Sequence, residues 1–107
     1  MTEPTHLRHI VMLGFKPGTS DAETAEIVRR FGALQGIVPG IESFEWGVNN
    51  SPEGLNQGLS HCFTLTIGST EARDTYLPHP DHVAFADWVG AWVETVTVLD
   101  YWATPVT

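Results

Sequence analysis

Three residues in the C-terminal half of the chain have side chains suited to acid–base chemistry: Tyr76, His82 and Asp100. A neutral imidazole takes a proton near pH 7, so His82 is the candidate general base. A carboxylate beside it would fix its tautomer and raise its basicity, and Asp100 can do so if the last strand lies beneath the helix start. Asp81 is nearer in sequence but is expected to face solvent. A phenol such as Tyr76 can donate to a carbonyl oxygen and stabilise a developing enolate.

Each of these side chains also has a purely structural explanation. His82 can cap a helix and bond to backbone, and Tyr76 can anchor its helix to the core. His9 and His61 stand on apolar strand faces, where a histidine is often a core or rim residue. Their strands are predicted to run in opposite directions, which separates the two imidazoles by roughly 15–20 Å. That distance argues against a metal site made of His9, His61 and His82.

The composition describes one small acidic domain. The chain has 107 residues, and we expect a core over about 6–103 with a short tail at each end. Five basic residues against thirteen acidic ones give a net charge of −8, which disfavours nucleic acid and anionic membranes as partners. A single cysteine excludes an internal disulfide framework. Without a signal peptide pattern or a long apolar run, the predicted location is the cytoplasm.

No cofactor is predicted. The sequence has no glycine-rich phosphate loop, G-x-S-x-G elbow, H-E-x-x-H or C-x-x-C motif. Nothing therefore calls for a nucleotide, a flavin, a haem or a bound metal. A site for a divalent cation at the dimer interface is a further alternative, and its only support is the acidic charge of the chain.

Hydrophobic periodicity predicts four strands and three helices around these residues. In the first strand His9, Val11 and Leu13 share one face, and Ser20 with Glu23 has the form of a capping box that begins a helix. The predicted strands are 6–16, 41–49, 60–67 and 95–102, with the second and third forming a hairpin. The later helices are predicted at 69–77 and 82–92, and Pro78 and Pro80 are expected to stop the first of them.

The order β-α-β-β-α-α-β predicts an α+β, ferredoxin-like fold, with a four-stranded antiparallel sheet and helices on one face. The opposite face of the sheet is not polar, because Ile10 and Met12 lie there on the first strand. An apolar open face needs a cover, and a second copy of the sheet is the simplest one. We therefore predict a homodimer in which two sheets close face to face as a dimeric α/β barrel.

The motifs of the chain resemble those of the stress-responsive α/β-barrel domain (Dabb) family. The segment 9–16 (HIVMLGFK) is similar to the family's opening strand, H-x-V-x-x-x-F-K. Further similar segments are 39–40 (PG), 46–47 (WG), 58–61 (GLSH), 76–83 (YLPHPDHV) and 100–101 (DY). The resemblance covers about 6–103 and implies a ferredoxin-like fold and a homodimer.

The resemblance also implies site residues. One plant member of the family is a polyketide cyclase, which closes its substrate by an aldol condensation with a histidine base and a tyrosine that holds the carbonyl. Motif matching assigns these roles to His82 and Tyr76, and matches His9, His61 and Asp100 to further positions of the pocket. The residues expected to bind substrate are His9, His61, Val11, Leu13, Phe31 and Phe44. The pocket walls differ from the cyclase along the first helix and at 92–93, so the same substrate is not expected.

Two functions fit these observations. The first is a cofactor-independent enzyme that catalyses a proton-transfer-driven cyclisation, aldol or isomerisation step on a hydrophobic carbonyl or carboxylate compound. The second is a non-catalytic dimeric stress-responsive or ligand-binding module with structural histidines. An enzyme needs a cavity of roughly 300 Å³ or more with convergent polar groups. A filled interior around Tyr76 and His82 would favour the second function.

Overall fold

The computed structural model describes residues 6–106, and its elements follow in the predicted order. The strands are β1 (His6–Phe15), β2 (Ile41–Val48), β3 (His61–Ile67) and β4 (Val93–Ala103), and the helices are α1 (Asp21–Ala33), α2 (Thr70–Tyr76) and α3 (Pro80–Val89). A short 3-10 turn extends α1 over Leu34–Gly36. Of the predicted tails at 1–5 and 105–107, residues 1–5 and 107 lie outside the described residues, and 105–106 belong to no helix or strand. Within 6–106, no helix combines the length and the hydropathy that a membrane span requires.

The strands form one antiparallel sheet in the order β2-β3-β1-β4. The predicted ferredoxin-like architecture and the β2–β3 hairpin are both confirmed. The central strand β1 pairs with β3 on one side and with β4 on the other, and β2 and β4 are the edges. This register places β1 residues beside residues of the last strand that are far away in sequence.

Helix α3 differs from its prediction, since it covers 80–89 and not 82–92. Pro80, expected to be part of a helix stop, is the first residue of the helix. A proline suits this position because the first turn of a helix does not use its N–H groups. The His79 side chain caps the helix through a hydrogen bond of 3.1 Å that it accepts from the Asp81 N–H. The helix therefore begins two residues, about half a turn, closer to Tyr76 than expected.

The predicted capping box at the start of α1 is confirmed. The Ser20 hydroxyl accepts from the Glu23 N–H at 3.1 Å, and the Glu23 carboxylate accepts from the Ser20 N–H at 2.9 Å. The same carboxylate accepts from the indole N–H of Trp92 at 2.6 Å. These hydrogen bonds, with that of Ser20 first, lower the pKa of Glu23. One acidic side chain thus ties the start of α1 to the start of β4.

The hydrophobic core lies between the helices and one face of the sheet. Val11, Leu13 and Phe31 are buried there, as the strand and helix periodicities predict. The opposite face is open, and Leu99 and Tyr101 are 57% and 47% exposed on it. The edge strand β4 is also incompletely covered on its helix side. This leaves a cavity beside α3.

Candidate active site

A cavity of about 330 Å³ lies between α3 and the β1–β4 half of the sheet. Its walls are mostly aliphatic and aromatic, and the polar side chains among its lining residues are the imidazoles of His9 and His82. The apolar lining includes Val11, Leu13, Phe31, Phe85, Val89 and Val98. The cavity therefore offers an apolar ligand two groups that can transfer protons.

His9 is held by Asp100 and is almost fully buried. The two residues are directly opposite on β1 and β4, and His9 Nδ1 lies 2.6 Å from Asp100 Oδ1. The expectation that Asp100 orients His82 is thus wrong, because the sheet register pairs Asp100 with His9. A carboxylate only accepts, so His9 Nδ1 carries the proton in this hydrogen bond and Nε2 keeps its lone pair.

His82 is half-buried in the first turn of α3. Its Nδ1 lies 2.9 Å from the carbonyl oxygen of Leu77. Since a carbonyl can only accept, Nδ1 donates and Nε2 again keeps the lone pair. The backbone contact that a structural role predicts is therefore present. It also leaves the second nitrogen free to accept a proton.

Tyr76 stands between the two imidazoles in the packing. Its ring centroid lies 4.3 Å from that of His82 and 5.7 Å from that of His9, the latter in an edge-on arrangement. The side chain is fully buried, and its hydroxyl has no hydrogen-bond partner among residues 6–106. Burial raises the pKa of Tyr76, so the phenol stays protonated. A buried donor without an acceptor is unusual. Tyr76 is not among the residues that line the cavity; it lies behind the two imidazoles that do.

Two of the residues expected to bind substrate lie elsewhere. His61 pairs across the sheet with Leu13, towards the other end of β1 from His9, because β3 runs antiparallel. Burial lowers the pKa of His61, and it lines a second cavity of about 520 Å³ beside the loop at 49–60. Phe44 packs against Phe31, with 5.3 Å between ring centroids, and does not line the cavity at α3.

Sequence reasoning did not single out Arg73, whose Nη1 lies 3.6 Å from Asp100 Oδ2. An arginine on a short helix carries no sequence signal for such a contact, because the tilt of the helix decides it. Four wall residues could have been identified from the sequence pattern. Phe85 and Val89 follow the helical spacing, and Val96 and Val98 alternate along the strand in phase with Asp100. Within the described part of the chain, no three His, Cys, Asp or Glu side chains are grouped so as to hold a metal ion.

Comparison with known proteins assigns the chain to a family. The model of the stress responsive A/B barrel domain, Dabb, matches residues 7–103. The chain belongs to the Dabb family. Among Dabb relatives, the stress-response A/B barrel domain-containing protein HS1 of Arabidopsis thaliana is 34% identical over 100 residues, which are 94% of this chain and 92% of HS1. The predicted family is confirmed.

Two further relatives have names that describe enzymes. Olivetolic acid cyclase of Cannabis sativa is 27% identical over 95 residues, which are 89% of this chain and 94% of that protein. The hydroxynitrile lyase of Passiflora edulis superposes with a TM-score of 0.89 at 26% identity, covering 98% of this chain and 99% of that one. This Dabb chain is thus similar over nearly its whole length to two proteins that are named as enzymes.

The same fold occurs in dimeric proteins. A ferredoxin-like protein of Bacteroides fragilis, described as dimeric, superposes with a TM-score of 0.72 at 20% identity, over 96% of this chain and all of that one. Structural relatives of this Dabb protein are therefore dimeric ferredoxin-like proteins.

Proposed function

We propose that the protein is a cofactor-independent enzyme that transfers protons at a hydrophobic carbonyl compound, in an aldol-type cyclisation, a related carbon–carbon cleavage or an isomerisation. One observation carries the proposal. Two imidazoles, each with its Nδ1 proton engaged by an oxygen, line the same apolar cavity and pack against the ring of Tyr76, whose buried hydroxyl has no hydrogen-bond partner among residues 6–106.

The role of each residue follows from whether its side chain can accept or donate a proton. His82 accepts a proton through Nε2 from the carbon next to the substrate carbonyl, or from a hydroxyl when a bond is cleaved. The electron pair moves onto the carbonyl oxygen, and the Tyr76 phenol donates a hydrogen bond to it. His9, held by Asp100, is the second imidazole and exchanges a proton with the second oxygen or carbon that reacts. A cavity of about 330 Å³ is large enough for such a substrate.

The relatives support this reaction class without naming the substrate. By their names one is a cyclase and the other a lyase of hydroxynitriles. The cleavage of a hydroxynitrile begins with removal of a hydroxyl proton, and an aldol-type ring closure begins with removal of a proton beside a carbonyl. Both therefore need a base and a hydrogen-bond donor in an apolar pocket.

A substrate screen with matched variants tests the proposal. The panel consists of aromatic hydroxynitriles, followed by aldehyde release, and linear polyketo acids, followed by ring formation. Replacing the base with His82→Gln is expected to lower kcat by at least about 100-fold. His61→Gln is the control, because His61 lies outside this cavity. Equal losses for both variants, or none for His82→Gln, would contradict the assignment.

A non-catalytic ligand-binding module is the second candidate. The apolar lining and the similarity to HS1, a protein named for stress response, favour it. In that case apolar carboxylic acids or ketones bind with displaced histidine NMR signals, and no compound of the panel is converted. His9→Ala and Tyr76→Phe then change affinity alone.

We also propose that the protein is a homodimer in which the open sheet faces of two copies meet. Leu99 and Tyr101 are exposed on that face, and Ile10 and Met12 are half-buried there. A second copy would remove this apolar surface from water. Relatives of the same fold are described as dimeric, which supports a dimer as such.

A further inference from the structure

We infer that Arg73 is a positioning residue, which orients the His9 imidazole by holding the carboxylate of Asp100. The inference rests on the proposed function, since it explains how the second imidazole of the site is kept in place. Its geometry does not depend on which substrate binds.

The Asp100 carboxylate has a different partner for each oxygen. Oδ1 lies 2.6 Å from His9 Nδ1, and Oδ2 lies 3.6 Å from Arg73 Nη1. The first contact is a hydrogen bond, and the second is an ion pair longer than a hydrogen bond, which restrains the carboxylate through charge attraction. About a quarter of each of the Asp100 and Arg73 side chains is accessible to solvent, so their attraction is only partly screened. Arg73 therefore favours the orientation of the carboxylate in which Oδ1 accepts from His9.

Helix α2 brings this contact and the tyrosine to the site together. Arg73 and Tyr76 are three residues apart on α2, so they lie on neighbouring positions of one helix side. The Tyr76 ring packs on His9, and Arg73 reaches Asp100. Ser69 caps the helix by accepting from the Ala72 N–H at 3.0 Å. A short, capped helix thus sets both contacts of the His9–Asp100 pair.

Arg73 and His9 contact different oxygens of Asp100, so the guanidinium does not compete with the imidazole for the same acceptor. With Nδ1 donating to Oδ1, Nε2 is the nitrogen of His9 that can accept a proton. Among residues 6–106, the other titratable groups near this imidazole are Tyr76 from α2 and, across the cavity, His82 from α3.

Arg73 has a second partner that supplies a matched control. Its Nε lies 3.3 Å from Asp74 Oδ1, which belongs to an exposed side chain. Asp74→Asn removes that surface contact and keeps Arg73 on Asp100. Arg73→Gln and Arg73→Met remove the charge in two ways, one polar and one apolar. Arg73→Lys restores the charge without the planar guanidinium.

The first experiment is ¹⁵N NMR of the imidazoles in the intact protein without ligand. Arg73→Gln and Arg73→Met are expected to broaden the His9 Nδ1–H signal and to mix its two tautomers. His82 should be unchanged, because its Nδ1 proton is held by the Leu77 carbonyl. Arg73→Lys should restore part of the His9 signal, and Asp74→Asn should leave it as in the wild type. An unchanged His9 signal in both Arg73 variants would overturn the inference.

Kinetics on a converted substrate provide the second readout. Loss of orientation is expected to lower kcat by roughly 10- to 100-fold with little change in KM. An equal fall in stability and in the amount of active enzyme, with kcat per active site unchanged, would show a structural role alone. If nothing on the panel is converted while the NMR changes occur, the positioning role stands and the proposed function fails. If a compound is converted and the His9 signal does not change in the Arg73 variants, the proposed function stands and the positioning role of Arg73 fails.

Discussion

Asp100 Oδ1 lies 2.6 Å from His9 Nδ1, across the β1–β4 pair, and this contact joins residues that are 91 positions apart in the chain. His82, the nearest imidazole to the Tyr76 ring, has its Nδ1 on a backbone carbonyl. The two imidazoles of the cavity are therefore oriented by different devices, one by a carboxylate and one by the main chain. Substitutions at the carboxylate should affect only the first.

Asp100→Asn is expected to reduce turnover by roughly 10- to 100-fold, because an amide no longer forces the Nδ1 tautomer of His9. The measurement is kcat with the substrate that the screen identifies. Asp81→Asn is the matched control, since Asp81 is exposed and lies next to His82 in sequence. A larger loss of turnover for Asp81→Asn than for Asp100→Asn would mean that Asp81 is the carboxylate that orients a catalytic histidine.

Tyr76→Phe is expected to separate stability from function. The Tyr76 hydroxyl is buried without a partner among the described residues, and such a group costs about 1–3 kcal/mol of folding free energy. Its removal should raise the free energy of unfolding by about 1 kcal/mol, and the Tm by about 4 °C or more. Turnover should fall by about 100-fold or more.

The control for Tyr76→Phe is Tyr101→Phe, which keeps the ring on the open sheet face that the proposed dimer covers and removes only the hydroxyl of a side chain that is half-exposed in the single chain. It should change the free energy of unfolding by less than about 0.5 kcal/mol. Thermal melts followed by circular dichroism give both values. A lower Tm for Tyr76→Phe would mean that the hydroxyl has a hydrogen-bond partner in the folded protein.

Gly14→Ala is expected to disturb the loop beside the second cavity. A Cβ at Gly14 would lie 2.2 Å from the carbonyl oxygen of Gly58, whose φ of 81° suits glycine. The backbone of the loop must move, which costs about 1–3 kcal/mol. Gly47→Ala, on β2, meets no atom within 4 Å and should be nearly neutral. Urea unfolding of the two variants makes the comparison.

Glu26 gives the fold a dependence on acid that can be measured. Hydrogen bonds from Arg29 and Arg30 lower the pKa of Glu26 to about 2 from its usual 4.5. Between these values the folded state keeps the carboxylate while the unfolded state binds a proton, so stability falls as the pH falls through this window. Above pH 4.5 this contribution is fully present. The group is exposed, and we expect a small effect.

The measurement is Tm against pH for the wild type and Glu26→Gln. The variant should have a flatter curve between about pH 4.5 and 2. Glu53→Gln, in the loop at 49–60, is the control and should leave the slope of the wild type. Identical slopes for wild type and Glu26→Gln would show that the arginine contacts are absent in solution.

The homodimer predicts a mass of about twice the 11.8 kDa chain at micromolar concentration. Leu99→Glu places a charge on the open sheet face and should give a species of chain mass in sedimentation. Val83→Glu is the control, because Val83 is similarly exposed, at 42%, but lies on the helix layer. A wild type that sediments at the mass of one chain would remove the proposal.

Local patterns were sufficient to predict most of the fold. The Ser20–Glu23 box, the alternation of His9, Val11 and Leu13, and the order of strands and helices all follow from contacts between near neighbours in sequence. The ferredoxin-like plan follows from that order through the rules of chain connection. The error at Pro80 is of the same local kind, since a proline is compatible both with ending one helix and with beginning the next.

The partners within the site could not be predicted in this way. Tyr76, His82 and Asp100 are visible as chemically capable residues, but alternation alone does not say which residue of β1 stands opposite Asp100. A shift of the β1–β4 register by two residues would keep every side chain on its face and give Asp100 another neighbour. The register is set by the packing of the whole sheet against its helices. The tilt of α2, which brings Arg73 to Asp100, depends on the same packing, so these contacts belong to the tertiary structure.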